Sequence, residues 1–135
     1  MRRVVTTFAL LAIAALSALA QTSTEQYDAR FVLTNGAVYE GTTTFEVNAK
    51  GVVTGKMVLT VPSPVNSTLS GSLKDGIWTF NYTYSAPEQG CAGTVTGTAK
   101  VPTDRKLISG DAMIGGCSDE PLAAVFTFTR RDKKN

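Results

Sequence analysis

Few residues in this sequence are of types that do chemistry, and their spacing decides what they can do. Ser63 and Ser85 become nucleophiles only with a base beside them, and the chain has no histidine. That absence removes the commonest general base and the commonest metal ligand together. Glu40 and Glu46 share one side of an alternating segment, as paired carboxylates for acid–base work must. Their companions on that side are Thr42 and Thr44, so the side reads as wet. Asp111, Asp119 and Glu120 lack the alternating-oxygen spacing of a calcium loop and read as solvated. No metal and no cofactor is expected. What remains is a row of rings, Trp78, Phe80, Tyr82 and Tyr84, at every second position. Alternation places these rings on one side of a strand, where they offer apolar surface rather than reactive groups. The chain therefore reads as a binding protein and not as an enzyme.

Such a row needs strands to carry it, and strand signals recur along the chain. They cover residues 27–34, 38–47, 52–61, 68–74, 77–84, 91–101, 107–114 and 122–130, with turn residues between them and no convincing helical period. Threonine is abundant throughout, as suits strands with one face in water. The turns fix registers. Asp75-Gly76 is a two-residue loop that pairs Lys74 with Ile77 and Leu73 with Trp78, and so sets Gly71 opposite Phe80 and Leu69 opposite Tyr82. The turn at Asn48-Ala49-Lys50-Gly51 pairs Val47 with Val53 and Phe45 with Gly55. That register puts Tyr39, Phe45, Val47, Met57, Leu59 and Val61 on one face and the threonines and charges on the other. At Asn35-Gly36 a two-residue turn would set Leu33 against Val38 and mismatch the faces. A three-residue loop with Gly36 left-handed restores the match, with Leu33 meeting Tyr39.

Cys91 and Cys117 are the two cysteines, and one disulfide is expected between them. If Val95, Ala99 and Val101 face inward with Ile108, Ala112 and Ile114, one unbroken register cannot also set Cys91 opposite Cys117. One extra residue resolves the conflict, and Gly115-Gly116 is the expected place for that bulge.

Eight antiparallel strands with one apolar face must cover it. Short sequential connections and an even strand count favour an all-β, up-and-down meander barrel, with a β-sandwich as the alternative. Gly41, Gly55, Gly71, Gly93, Gly97 and Gly110 would lie on the inner face, relieving the corners and making room for rings. The interior is then either filled by side chains or hollow enough for a small apolar ligand. Trp78, Phe80, Tyr82, Tyr39 and Phe45 are the candidate ligand-binding residues. The alternative function is a protein-binding module, such as an inhibitor of a secreted enzyme. It would act through the loops Pro62-Ser63-Pro64-Val65, Ala86-Pro87-Glu88-Gln89 and Ser118-Asp119-Glu120-Pro121.

Gly76-Ile77-Trp78 resembles the Gly-x-Trp of the lipocalins, exported eight-stranded barrels that bind small hydrophobic molecules, and Arg130 resembles the basic residue that packs on that tryptophan. In lipocalins the tryptophan opens the first strand, and here it falls in the fifth. The resemblance therefore implies a shared barrel architecture, and no binding residue is carried over from it.

At the start of the chain, Arg2-Arg3 precede an apolar run that ends in Ala18-Leu19-Ala20, a small-x-small cleavage pattern. Residues 1–20 read as the helix of a signal peptide, which directs the chain to the periplasm or the outside. Residues 21–26 then form a flexible N-terminus, 27–130 the barrel and 131–135 a basic tail. No later segment is apolar and long enough to span a membrane as a helix. Arg2 and Arg3 leave with the leader, and the remaining Lys and Arg match the 11 Asp+Glu. That neutral balance argues against a nucleic acid partner. Asn66-Ser67-Thr68 and Asn81-Tyr82-Thr83 match the glycosylation sequon, which matters only in a host that glycosylates exported proteins.

Overall fold

The computed structural model describes residues 24–132, so the leader assigned to 1–20 lies outside the described residues. Alternation of apolar and polar residues resolves into eight strands: β1 (Glu25–Leu33), β2 (Val38–Val47), β3 (Val52–Val61), β4 (Val65–Lys74), β5 (Ile77–Ala86), β6 (Cys91–Lys100), β7 (Leu107–Gly115) and β8 (Leu122–Arg130). A short 3-10 turn at Pro87–Gln89 joins β5 to β6. Each strand pairs antiparallel with the next, and β1 pairs with β8, so the sheet closes into a barrel. Closure is how a sheet with one apolar face hides it and leaves no unpaired edge. The sandwich alternative is thereby set aside.

The turn chemistry sets the registers as expected at two hairpins. Asp75 and Gly76 both take positive φ, 54° and 74°, which a tight two-residue hairpin requires. Leu73 accordingly faces Trp78, and Leu69 faces Tyr82. Asn48 organises the second turn by accepting from the backbone N–H of Lys50 and of Val52, both at 2.9 Å. Val47 faces Val53 across it.

At the first hairpin the loop has three residues, and Gly36 is left-handed at φ 90°. The ladder lies two residues from the expected pairing. Leu33 meets Ala37, and Phe31 is the partner of Tyr39. A shift of two preserves the faces, so Phe31 and Leu33 both point inward.

Two irregularities need correction. A register shift between Glu40 and Gly41 sets Glu40 opposite Val61 and Gly41 opposite Leu59. Past it, Val61 leaves the inner face and is 54% exposed, contrary to its expected inward placement. At the disulfide no bulge interrupts the β6–β7 ladder. The ladder ends at Thr94 and Gly115, and Gly116 turns out of the strand at φ 113°. That turn replaces the bulge and brings Cys117 to Cys91, with 5.3 Å between Cα atoms.

The barrel has two unlike ends. The closed end carries the β2–β3, β4–β5 and β6–β7 turns, which are bonded to one another: Leu73 N–H donates to Gly51 O and Val101 N–H to Gly76 O. The β6–β7 loop is held against this end by Tyr27. Its hydroxyl lies 2.8 Å from the Arg105 carbonyl and 2.7 Å from Glu25 Oε2, and Arg105 pairs with Glu25 at 3.5 Å. Burial, then the hydrogen bond and charge of Glu25, push the Tyr27 phenol well above its usual range. Arg130 donates to the Asp104 carbonyl at 2.9 Å, so its guanidinium serves the loop.

Above that floor lies a layer of rings. Trp78 sits 5.1 Å from Phe45, 4.7 Å from Phe80 and 5.6 Å from Phe128, centroid to centroid, and Phe45 stacks on Tyr27 at 4.7 Å. Glycine makes the room: a Cβ on Gly97 would come within 2.5 Å of the Phe80 ring. A Cβ on Gly55 would run into the Thr44 carbonyl of the adjacent strand, so there the two backbones approach too closely for any side chain.

Candidate ligand-binding cavity

Inward side chains shrink from the ring layer towards the other end. There Ala37, Val65, Ala86 and Val95 take the positions that Phe45, Trp78 and Phe128 fill below, and a cavity of about 250 Å³ remains. Its walls also include Phe31, Leu33, Met57, Leu59, Ile114 and Leu122. It opens at the mouth formed by the loops at 34–37, 62–64, 87–90 and 116–121. Phe31 connects it to the ring layer, 6.0 Å from Phe126 and 5.8 Å from Phe128. The closed end, by contrast, retains a void of only about 10 Å³ between Phe45, Trp78, Arg105 and Ile108. A wider depression of about 1030 Å³ lies on the outer wall. Outward residues such as Val32, Thr79, Thr96 and Val125 line it, and being open to water it encloses nothing.

The five candidate residues divide between these environments. Tyr39 lines the open cavity. Trp78, Phe80 and Phe45 belong to the packed ring layer, and Tyr82 is fully buried between the two halves. Of the row of rings on β5, only Tyr84 lines the cavity, whose other walls include Phe31, Tyr39 and a majority of aliphatic residues that carry no conspicuous signal. Summing inner-face side-chain volumes layer by layer, once the registers were fixed, would have revealed the thin layer.

Polar groups in the cavity region are few and mostly committed. Tyr84 donates its hydroxyl to the Gly115 carbonyl at 2.9 Å; burial, then the neighbouring Tyr39, raise its pKa. Asn35 Oδ1 accepts from Ala37 N–H at 3.0 Å, and Ser118 Oγ donates to the Glu120 carbonyl. Gln89 reaches across the mouth and donates from Nε2 to Tyr39 Oη at 3.2 Å and to Ser63 Oγ at 2.9 Å. Deeper, Tyr82 Oη and Thr43 Oγ1 share a buried hydrogen bond of 2.9 Å, and Thr43 also bonds the Lys56 carbonyl. Burial raises the Tyr82 pKa well above its usual range, and the bond to Thr43 opposes that only in part. Thr43→Val would strand the Tyr82 hydroxyl in the core. The expected cost is about 1–3 kcal/mol, to be read from urea denaturation, with Thr43→Val/Tyr82→Phe recovering part of it.

No protein-family model matches this chain, and no curated protein matches it either. Solved structures do match, and those found are designed proteins. A redesigned β-barrel superposes with a TM-score of 0.65 at 14% identity, over 79% of this chain and 90% of that one. A second redesigned barrel, mFAP1 bound to DFHBI, gives 0.58 at 14% identity, over 78% and 92%. A de novo designed fluorescence-activating β-barrel gives 0.56 at 16% identity, over 83% and 96%. At such identities the likeness is one of fold: a closed antiparallel meander barrel. Among the described residues no group of three or more His, Cys, Asp or Glu stands together to hold a metal ion.

Proposed function

We propose that this protein is an exported, non-catalytic barrel that binds a small apolar molecule in the open half of its interior. The observation that carries the proposal is the asymmetry of the core. Rings fill one half, while the other keeps an apolar cavity of about 250 Å³ open at the mouth. Burying apolar surface of a ligand there releases water from walls that can offer it few hydrogen bonds. Two of the designed barrels of like fold point the same way, one being bound to DFHBI and the other described as fluorescence-activating. Export rests on the leader pattern of residues 1–20, together with the Cys91–Cys117 disulfide, a bond that persists in oxidising compartments.

The test is a titration with the uncharged dye N-phenylnaphthylamine. Its emission should rise and saturate at one dye per chain. Ala86→Phe, which puts a ring into the cavity, should weaken the dye at least tenfold while circular dichroism remains that of the barrel. A flat titration of the unmodified protein up to the solubility of the dye would refute the proposal. Trp78 is a poor reporter for this purpose, because it lies in the ring layer and not in the cavity wall.

A further inference from the structure

The polar groups at the mouth narrow the class of ligand, an inference that rests on the cavity being a binding site. The cavity wall carries no charged side chain among the described residues. None of the four mouth loops carries Lys or Arg, while Glu88, Asp119 and Glu120 stand exposed on them. An anionic head would therefore lose its hydration with no cation to replace it and with carboxylates around it. Apolar walls with no polar partner at all would suit a pure hydrocarbon, but this mouth is not of that kind.

Several polar atoms around the opening are committed: the Tyr84 O–H to Gly115 O, Asn35 Oδ1 to Ala37 N–H, and the Ser118 O–H to Glu120 O. The pair formed by Gln89 and Tyr39 is different, because it links the β5–β6 loop to β2 directly over the cavity that both residues line. In this pair Gln89 donates and Tyr39 accepts. Gln89 Oε1 can still accept and the Tyr39 O–H can still donate, so this pair offers one acceptor and one donor at the opening. A hydroxyl matches both at once.

We infer that the ligand is a small neutral amphiphile, with an apolar body in the cavity and an alcohol-type head between Gln89 and Tyr39. The body must be compact, since about 250 Å³ falls below the roughly 300 Å³ at which drug-sized pockets begin.

Three probes of one skeleton test the inference: naphthalenemethanol, methylnaphthalene and naphthoate, each titrated by calorimetry against the full barrel at neutral pH. Naphthoate should bind at least tenfold more weakly than the alcohol. Gln89→Leu/Tyr39→Phe should weaken the alcohol about five- to tenfold more than it weakens methylnaphthalene, the signature of lost hydrogen bonds to the head. Naphthoate binding as tightly as the alcohol would overturn the inference, and so would a double variant that weakens alcohol and hydrocarbon equally. In either case the cavity would remain a binding site. If none of the three probes binds while N-phenylnaphthylamine does, the inference falls and the cavity remains a binding site; if the dye fails as well, the binding reading falls with it.

Discussion

Trp78→Ala is expected to destabilise the barrel by about 3–5 kcal/mol, visible as a large fall in the urea midpoint with an unchanged slope. Trp78 is 2% exposed and sits within ring-packing distance of Phe45, Phe80, Phe126 and Phe128. Truncation therefore opens a hole that four neighbouring rings cannot collapse to fill. A domain of this kind has about 5–15 kcal/mol in total, so the variant stands near the edge of folding. Trp78→Phe should be far milder, for a second reason besides size. The indole Nε1 is buried without a hydrogen-bond partner among the described residues, and phenylalanine removes that stranded donor along with some volume. A loss below about 1 kcal/mol in the alanine variant would mean that the ring layer is not the packed half of the core.

Cys91→Ala/Cys117→Ala should cost about 3 kcal/mol. The bond joins positions 26 apart in sequence, and removing it frees that interval in the unfolded chain. For a domain of this size the melting temperature should drop by about 10–20 °C, measured by calorimetry with the reduced form as a second arm. The effect should also be felt at the mouth, since Cys117 lines the cavity. Dye affinity should fall in the double variant even at temperatures where the barrel is fully folded, because Gly116 leaves the β6–β7 ladder and the bond is what draws Cys117 back. Equal melting temperatures with and without the bond would refute the stapling role.

Strand number, order and most registers were legible because alternation and turn chemistry are local. Asp75-Gly76 alone dictates that Leu73 meets Trp78, and Asn48 with Gly51 dictates Val47 against Val53. What was not legible depends on closing the ring. The shift at Glu40 and Gly41 lies at the end of the β2–β3 ladder remote from the turn, where no turn residue announces it, and it turns Val61 outward. The place of the cavity was not legible for a related reason. Large rings attract attention as ligand walls, but Trp78, Phe80 and Phe45 find one another across the barrel and fill it. The cavity arises where Ala37, Val65, Ala86 and Val95 are too small to meet. Such emptiness belongs to a layer drawn from all eight strands, and no single stretch of chain displays it.

The seam between β1 and β8 sets this chain a kinetic problem. Every other pairing joins strands adjacent in sequence, so the loop to be closed is short and each hairpin can form at modest entropic cost. The seam brings Tyr27 to Arg130 and Leu33 to Ala124, almost the whole length of the domain, and topology makes such a contact slow. Until it forms, β1 and β8 are bare edges of a threonine- and valine-rich sheet, able to recruit another chain as readily as each other. The rate of seam closure, more than the stability of the finished barrel, therefore governs how concentrated this protein can be while it refolds.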